Sequence, residues 1–359
     1  AQPEGVGYSQ MTRKGRLRGS TAQTFLKQAK KRQNLRVETN ATVSKLIFED
    51  KKCVGVKFFK HGKEKFIKAA KEVILSGGAV NSPHILQVSG IGPSDHLMNI
   101  GINVVHHLPG VGANLQDHYV ARVSHRVRHA KSINSLSRGT NLLKEIATWA
   151  FSGKGALTFG VTSAMVFSRS REGLSSPDLQ LLFTPASYSE RTLGKLEQDD
   201  GMTVAVCPVR PASRGTIMAV SSDPFVRPEI RPNYLSDPDD VRVLLAGIHQ
   251  TREIFSQPAL QRYSSKETAP GIQIQTSEEL ESFARENGSI IYHPVSTCRM
   301  GDDAMAVVDP RLRVHGIKGL RVVDASIMPT VTTGNTNAPT IMIAEKASDM
   351  ILEDERQAS

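Results

Sequence analysis

The amino-acid sequence predicts an α/β fold interrupted by a second domain of the α+β type, and three observations lead to this prediction. A short apolar run at residues 72–76 leads into Gly77-Gly78 and then into a helical pattern, which is the strand–glycine–helix order of α/β proteins. Near the C-terminus, a buried-type strand at 320–324 is followed by a polar loop and a helical pattern at 340–353. Residues 120–265 lack this order and combine strand-like runs with loops rich in Ser and Pro.

Because the strand–loop–helix order returns after the middle third, the first domain is expected to be discontinuous. We assign residues 1–118 and 300–359 to it, and residues 119–299 to the inserted domain. A chain of 359 residues with 39% hydrophobic content is long enough for two such domains.

The other elements follow from apolar spacing and turn residues. Residues 20–31 carry apolar side chains at helical intervals, so a helix is predicted there with Phe25, Leu26 and Ala29 pointing inward. A hairpin is predicted around His61-Gly62. Further strands are predicted at residues 35–39, 43–48, 55–59, 66–69, 203–209 and 215–220, and further helices at 82–89, 140–151 and 239–255.

The formal net charge of +10 is concentrated near the N-terminus. Residues 1–40 hold nine Lys or Arg against two acidic residues, a local charge of +7. A nucleic acid could bind such a cluster, but the aromatic residues that stack on bases are not interleaved with these charges. We therefore interpret the cluster as the solvated face of an amphipathic helix and expect no nucleic-acid ligand. A basic nucleic-acid-binding fragment is the alternative from a different functional class.

Hydropathy and cysteine usage bear on three further features: membrane spans, disulfides and metal sites. No run approaches the ~18 to 20 apolar residues of a membrane span, so no transmembrane segment is expected. Cys53, Cys207 and Cys298 are widely separated, which indicates neither a disulfide framework nor a metal site built on paired cysteines. A reducing, cytoplasmic location is the expectation.

The most specific segment is GAVNSPHILQVSGIG at residues 78–92, where small residues permit close backbone approach and Ser82-Pro83 can start a helix. It resembles, residue for residue, the second signature of the glucose-methanol-choline (GMC) oxidoreductase family, and the whole chain is similar to the alcohol- and choline-dehydrogenase members. Further blocks follow in the family's order: GINVVHHLPGVGANLQDH (101–118), RPASRG (210–215), RPNYL (231–235), YHPVSTCRMG (292–301) and GLRVVDASIMPTVTTGNTNAPTIMIAEKASDMI (319–351).

This resemblance implies an α/β FAD-binding domain of the glucose-oxidase-like type with an inserted substrate-binding domain, and FAD as the cofactor. It implies oxidation of a primary alcohol to an aldehyde, in which a base removes the hydroxyl proton and hydride passes to flavin N5. The implied partners are a small-molecule alcohol and an electron acceptor, which could be oxygen, a quinone or another compound.

His293 is the residue that the resemblance assigns as the general base. From the residues alone, His293 precedes Pro294 in a loop, and a structural histidine is the commoner occupant of such a position. An imidazole that titrates near neutrality nevertheless suits the removal of a proton from an alcohol. The family places its base histidine at this position of the motif.

Asn335 matches the second active-site group, His or Asn, that the family carries in the loop before the last helix. An asparagine can donate a hydrogen bond to the alkoxide oxygen and accept one from the hydroxyl, which would orient the alcohol. It cannot replace the base. An asparagine that only stabilises a turn is the alternative.

Five further residues would contact the cofactor according to the resemblance. Asp324 and Ala325 would meet the ribityl-pyrophosphate portion, and the backbone at Val43 would contact the adenosine end. Asn337 and Pro339 open the last helix and would face the isoalloxazine, where the positive helix end suits the negative charge of a reduced flavin. An ordinary strand-end acid is the alternative for Asp324.

The chain departs from the family in one respect, because no strand–GxGxxG–helix unit is found. The glycine pairs at residues 5–7, 110–112 and 153–155 lack the third glycine and the flanking elements. The N-terminal Rossmann unit is therefore expected to be missing, with a segment of the same protein as the partner that supplies it. The alternative functions within the family are a flavin-containing hydroxynitrile lyase and a non-catalytic or truncated fragment.

The sequence indicates the type of reaction more precisely than it indicates the substrate. A choline-type substrate requires an acidic or aromatic site for its quaternary ammonium. Phe183, Tyr188 and Tyr292 are candidate wall residues, whereas the only tryptophan, Trp149, lies in a predicted helix that the pattern does not place in a pocket.

Overall fold

A computed structural model describes residues 4–189 and 194–358 of the chain. Residues 1–3 and 359 of the predicted first domain, and residues 190–193 of the predicted inserted domain, lie outside the described residues.

Eighteen strands occur in the described part of the chain: β1 (Gly5–Tyr8), β2 (Arg13–Lys14), β3 (Leu17–Arg18), β4 (Ala41–Glu49), β5 (Lys52–Lys60), β6 (Lys63–Lys68), β7 (Val73–Leu75), β8 (Ile91–Gly92), β9 (His106–His107), β10 (Tyr119–Val127), β11 (Ala164–Ser168), β12 (Leu179–Thr184), β13 (Gly201–Pro208), β14 (Thr216–Met218), β15 (Glu229–Arg231), β16 (Ser264–Ala269), β17 (Ser289–Ile290) and β18 (Leu320–Val322).

The α-helices of the same part are α1 (Lys27–Ala29), α2 (Gly78–Val88), α3 (Ser94–Asn99), α4 (Ile133–Leu136), α5 (Gly139–Ser152), α6 (Pro238–Ser256), α7 (Pro258–Gln261), α8 (Ser277–Asn287) and α9 (Asn337–Ala358). A π-helical turn spans Ala22–Leu26, and 3₁₀ turns span Ala156–Thr158 and Ala325–Ile327.

The chain divides into two compact units. The first unit comprises the described parts of Ala1–Val37, Tyr119–Val209 and Pro238–Ser289, and the second comprises Glu38–His118, Arg210–Asp237 and Ile290–Ser359. The predicted boundaries differ from this division at residues 4–37, 210–237 and 290–299. Hydrogen bonding explains the first of these differences, because β1 pairs with β11 along its whole length.

The first unit is built on an antiparallel sheet with strand order β1-β11-β12-β13-β10-β16. Helix α6 packs on this sheet, with Leu244 and Ile248 fully buried. Gly247 allows the close approach, since a Cβ at that position would lie 2.4 Å from the side chain of Val206. Seven of the eight residues of β13 are buried, so both faces of this strand are covered.

The second unit has one hydrophobic core that joins residues distant in the sequence. Leu75 of β7 and Leu320 of β18 lie in it together with Ile343 and Ala347 of α9. Strands β7 and β18 pair in parallel, from Leu320–Val73 to Val322–Leu75. The C-terminal strand and helix therefore share a core with residues 38–118, because the apolar sides of all three segments are buried together.

Most predicted elements are confirmed with small shifts at their ends. The hairpin of β5 and β6 turns at His61-Gly62, both at positive φ. Helix α2 starts at Gly78, four residues before the predicted start, so Pro83 lies inside its first turns. Pro83 cannot donate to the carbonyl oxygen of Ala79 one turn earlier, but that oxygen accepts from the hydroxyl of Thr297 instead (2.6 Å).

One strand predicted near the N-terminus is wrong, and one helix there is confirmed in position but not in packing. Residues 35–39 form no strand. The helix predicted at 20–31 is present at residues 21–29, as a π-helical turn that continues into the three residues of α1, and neither part contains a buried residue. Phe25 was expected to point inward, but it is 50% exposed. Local periodicity therefore predicted the position of the helix but not its packing.

No helix in the two described stretches, 4–189 and 194–358, is long and apolar enough to cross a membrane.

Gln87 on α2 holds the β14–β15 hairpin in the second unit. Its Nε2 donates to the carbonyl oxygens of Ile217 (3.0 Å) and Val111 (3.2 Å), and its Oε1 accepts from the amide of Ala219 (2.5 Å). Gly112 lies beside it at φ +83°, and a Cβ there would be 2.2 Å from the Ile217 carbonyl oxygen. Only glycine fits at this point.

Gly112→Ala should therefore lower the free energy of unfolding by about 2 kcal/mol or more beyond the effect of Gly62→Ala. Gly62 is the matched control because it also has positive φ, at +72°, but a Cβ there would meet nothing within 4 Å. Urea unfolding followed by circular dichroism measures both values. Equal destabilisation by the two substitutions would contradict the close approach at Gly112.

Candidate active site

Two segments of the second unit meet through a pair of backbone hydrogen bonds. The amide of Val295 donates to the carbonyl oxygen of Gln116 (2.9 Å), and the amide of Gln116 donates to the carbonyl oxygen of Val295 (3.3 Å). This antiparallel bridge places Asp117 and His118 beside His293. The residues around the bridge lie on loops, where catalytic groups are commonly carried by a rigid scaffold.

Asp117 fixes the backbone on both sides of this bridge. Its Oδ1 accepts hydrogen bonds from the amides of His118 (2.8 Å) and His293 (2.7 Å), and its Oδ2 accepts one from the hydroxyl of Tyr234 (3.0 Å). The carboxylate is 4% exposed. Burial raises the pKa of Asp117, and the donors from His293, Tyr234 and His118 oppose that rise.

The imidazole of His293 is buried between two polar partners. Its Nδ1 lies 2.9 Å from Nδ1 of His118, and its Nε2 lies 3.2 Å from Nδ2 of Asn335. The two rings meet edge to face with centroids 5.2 Å apart. Tyr292 and Ser296, on either side, have φ of +61° and +75°, so the loop turns sharply to place the ring.

Gln116 holds the loop that carries Asn335. Its Oε1 accepts from the amide of Val331 (3.2 Å), and its Nε2 donates to the hydroxyl of Ser296 (3.2 Å) and the carbonyl oxygen of Pro329 (3.4 Å). One buried amide therefore ties together the segments at 116, 296 and 329–331. Asn335 itself is exposed, so this end of His293 faces a position that a small molecule can reach.

Burial lowers the pKa of His293 to about 4, with a second contribution from the charge of His118. The imidazole is therefore neutral through the physiological range. A neutral ring has one unprotonated nitrogen that can accept a proton, which is the requirement for a general base.

Asp324 organises a second group of residues at the carboxyl ends of β7 and β18. Its Oδ2 accepts from the amide of Gly78 (2.8 Å) and the hydroxyl of Ser82 (2.5 Å), and its Oδ1 accepts from the amide of Ser326 (2.8 Å). Gly78 has φ +78°, and a Cβ there would meet nothing within 4 Å. The glycine turn therefore stays open at the strand ends, where α/β sheets bind their ligands.

These features fit FAD. The open turn at Gly77-Gly78 and the 3₁₀ turn that starts at Ala325 lie at one edge of the parallel strands. Asn337 and Pro339 lie in the first turn of the 22-residue helix α9, and Asn337 is exposed. Amides at a helix N-terminus stabilise an anion.

The predicted site residues fall into separate places. His293 and Asn335 are in contact, as described above. Asp324 and Ala325 lie together at the strand edge, while Val43 lies on β4 paired with Phe58. Val43 thus lies in the three-stranded sheet β4-β5-β6, whereas Asp324 follows the parallel pair of β7 and β18.

Four residues around His293 were not predicted from the sequence: Gln116, Asp117, His118 and Tyr234. The first three are consecutive polar residues that directly precede the strand β10, and all three are buried. An acid and a histidine next to each other at the start of an apolar strand could have been noted as candidates. Tyr234 had no local signal, because only the fold brings it to Asp117.

Two family models match the chain, and both are described as GMC oxidoreductase. One covers residues 1–120 and the other residues 211–344.

Curated relatives are similar over nearly the whole chain. An oxygen-dependent choline dehydrogenase from Pectobacterium carotovorum is 44% identical over 98% of this chain and 63% of its own length. The mitochondrial choline dehydrogenase of Homo sapiens is 42% identical over 98% of this chain and 59% of its own length. An alcohol dehydrogenase [acceptor] from Pseudomonas putida is 41% identical over 100% and 65%, respectively. The chain thus spans less than two thirds of the length of these relatives.

Solved structures share the fold. Formate oxidase from Aspergillus oryzae superposes with a TM-score of 0.92 at 25% identity, over 99% of this chain and 67% of that one. Pyridoxine 4-oxidase from Mesorbium loti gives a TM-score of 0.84 at 25% identity, over 97% and 64%. These neighbours confirm the predicted FAD-binding fold and its cofactor.

The low pKa of His293 predicts a pH dependence of stability. The ring is neutral when folded down to about pH 4, whereas an unfolded histidine takes up a proton near its ordinary pKa of 6.5. Between these values the unfolded state binds more protons, so the contribution is complete above pH 6.5 and is lost as pH falls toward 4. This lowers the free energy of unfolding by about 3 kcal/mol over that pH range.

Urea unfolding at several pH values from 4 to 7 should therefore show a shallower pH dependence for His293→Asn than for the native sequence. The other buried histidines are common to both proteins, so the difference reports on His293. Parallel pH profiles would contradict the assigned burial of a neutral ring.

Proposed function

Because the chain belongs to the GMC oxidoreductase family, we propose that it oxidises a primary alcohol to an aldehyde with FAD as cofactor and His293 as the general base. The observation that carries this proposal is the contact between the buried imidazole Nε2 and the exposed Asn335 amide. This contact marks a point where a hydroxyl group can meet a proton acceptor and a hydrogen-bond donor together.

The task of His293 is to accept the hydroxyl proton at Nε2. A pKa near 4 makes the ring a weak base but keeps it unprotonated at neutral pH. The weakness is tolerable because the hydroxyl becomes strongly acidic as hydride leaves the carbinol carbon. Proton transfer therefore becomes favourable as the C–H bond breaks.

The task of Asn335 is to position the alcohol. Its Nδ2 already points at the base, and an alcohol oxygen that enters between the two groups can donate to Nε2 and accept from Nδ2. Such a geometry fixes the direction of the carbinol C–H bond. The amide does not titrate and so leaves the proton to His293.

Ala325, Asn337 and Pro339, with the Asp324-supported turn at Gly78, are the residues that would hold FAD in this unit. When bound, the flavin supplies the acceptor for the hydride and its two electrons. The backbone at Val43 is proposed for the adenosine end. Asp324 acts indirectly here, since its oxygens are already bonded to Gly78, Ser82 and Ser326.

The substrate class is supported by the relatives. Choline and alcohol dehydrogenases at 41–44% identity act, by their names, on alcohols. Among the candidate residues for the wall of the substrate site, Tyr292 belongs to the second unit, where it lies next to His293 and is 64% exposed. Phe183, Tyr188 and Trp149 belong to the first unit.

A hydroxynitrile lyase of the same fold would leave the flavin oxidised. Anaerobic addition of a primary alcohol to the yellow protein distinguishes the two chemistries. Loss of the flavin absorbance supports oxidation, and an unchanged spectrum with every primary alcohol tested contradicts it.

His293→Ala should slow flavin reduction by alcohol about 10²- to 10⁴-fold while alcohol binding weakens only a few fold, because the loss concerns proton transfer. Asn335→Ala should cost less, since it misplaces the alcohol and leaves the base. Both variants should retain bound flavin. Stopped-flow reduction at saturating alcohol measures the effect.

His61→Ala is the matched control, because this histidine lies exposed in the β5–β6 turn. It should reduce flavin at the native rate. A flavin-loaded His293→Ala enzyme whose flavin is reduced within about threefold of the native rate would contradict the assignment of His293 as the base.

A further inference from the structure

We propose that His118 and Asp117 form a positioning pair that holds His293 in the one neutral form able to act as a base. The proposal rests on the proposed function of His293. His118 would accept a hydrogen bond at Nδ1, and Asp117 would fix the backbone of both histidines. Neither residue is proposed to touch the alcohol.

The contact between the two rings dictates which nitrogen of His293 carries the proton. Two Nδ1 atoms at 2.9 Å form a hydrogen bond only if one ring donates and the other accepts. If His118 donated, the neutral His293 would carry its own proton on Nε2 and could not accept another there. The base form therefore requires His293 Nδ1–H to donate and His118 Nδ1 to accept.

The partner at Nε2 is consistent with this form. The group of Asn335 that faces Nε2 is the amide nitrogen, at 3.2 Å, and an amide N–H donates to an unprotonated ring nitrogen. His118 is fully buried and His293 is 7% exposed, so water does not easily replace either partner. A buried N–H without an acceptor is costly, which gives His118 control over the tautomer.

Asp117 makes the geometry of this pair reproducible. One carboxylate oxygen accepts from the amides of both His118 and His293, at 2.8 and 2.7 Å. The backbones of both histidines are thus bonded to one oxygen atom, although 175 residues separate the two histidines in the chain. Tyr234 holds the other oxygen at 3.0 Å and so keeps the carboxylate from rotating.

The first test compares His118→Leu with His118→Asn in the flavin-loaded enzyme. Asparagine places its Oδ1 close to the position of histidine Nδ1 and can still accept from His293, whereas leucine fills similar space without an acceptor. His118→Leu should slow flavin reduction at saturating alcohol by about 10- to 100-fold, and His118→Asn should stay within about fivefold of the native rate. Equal impairment of the two variants contradicts the acceptor role.

The second test reads the tautomer directly. In ¹⁵N-histidine-labelled protein at pH 7, the ring nitrogens of His293, assigned with the His293→Asn variant, should show a protonated Nδ1 and an unprotonated Nε2. His118→Asn should preserve this pattern, and His118→Leu should move the proton to Nε2. A protonated Nε2 on His293 of the native protein overturns the proposal.

Asp117 is tested by Asp117→Ala against Asp117→Asn, because the asparagine oxygen can still accept from both amides. The alanine variant should lose about tenfold or more in flavin reduction, and the asparagine variant should largely recover it. If Asp117→Ala does not fold, an Asp117→Asn enzyme with less than a tenth of the native rate contradicts the role.

His293→Ala distinguishes a failure of the proposed function from a failure of the positioning role alone. If its flavin is reduced normally, the proposed function fails. If His293→Ala is impaired while His118→Leu is reduced at the native rate, only the positioning role fails.

Discussion

The carboxylate of Asp117 is the constraint on which the candidate active site depends. It receives the backbone amides of His118 and His293 on one oxygen and the Tyr234 hydroxyl on the other. A buried carboxylate with these donors stays in one position, because each lost hydrogen bond would leave a buried polar group unpaired. The loop around His293, with its left-handed residues on both sides, is held by this arrangement.

The same principle recurs at other points of the second unit. The amide of Gln116 joins three segments around His293, and the amide of Gln87 joins α2 to the β14–β15 hairpin. Asp324 joins the ends of β7 and β18 to the glycine turn. Each of these side chains is buried and bonded to backbone groups, so loops without regular structure gain defined positions.

Burial of His293 has an electrostatic consequence as well as a geometric one. The ring is held by its contacts with His118 and Asn335, and the burial that comes with these contacts lowers its pKa to about 4. An exposed imidazole would be a stronger base, but it would be partly protonated near neutrality and free to rotate. The proposed base is therefore fixed, neutral and weak, whereas an exposed imidazole would be mobile and stronger.

The sequence by itself determined the α/β junction at Gly77-Gly78 and most helices and strands, because these depend on local patterns. Contiguous motifs, through their resemblance to a known family, indicated the candidate residues His293 and Asn335. The sequence-based prediction failed at the strand predicted at residues 35–39 and at the inward packing predicted for the N-terminal helix, because local periodicity does not supply a packing partner. Only the tertiary structure decided that Asp117 and His118 contact His293, and that residues 210–237 join the second unit. Those contacts bridge segments more than a hundred residues apart, and no local periodicity records them.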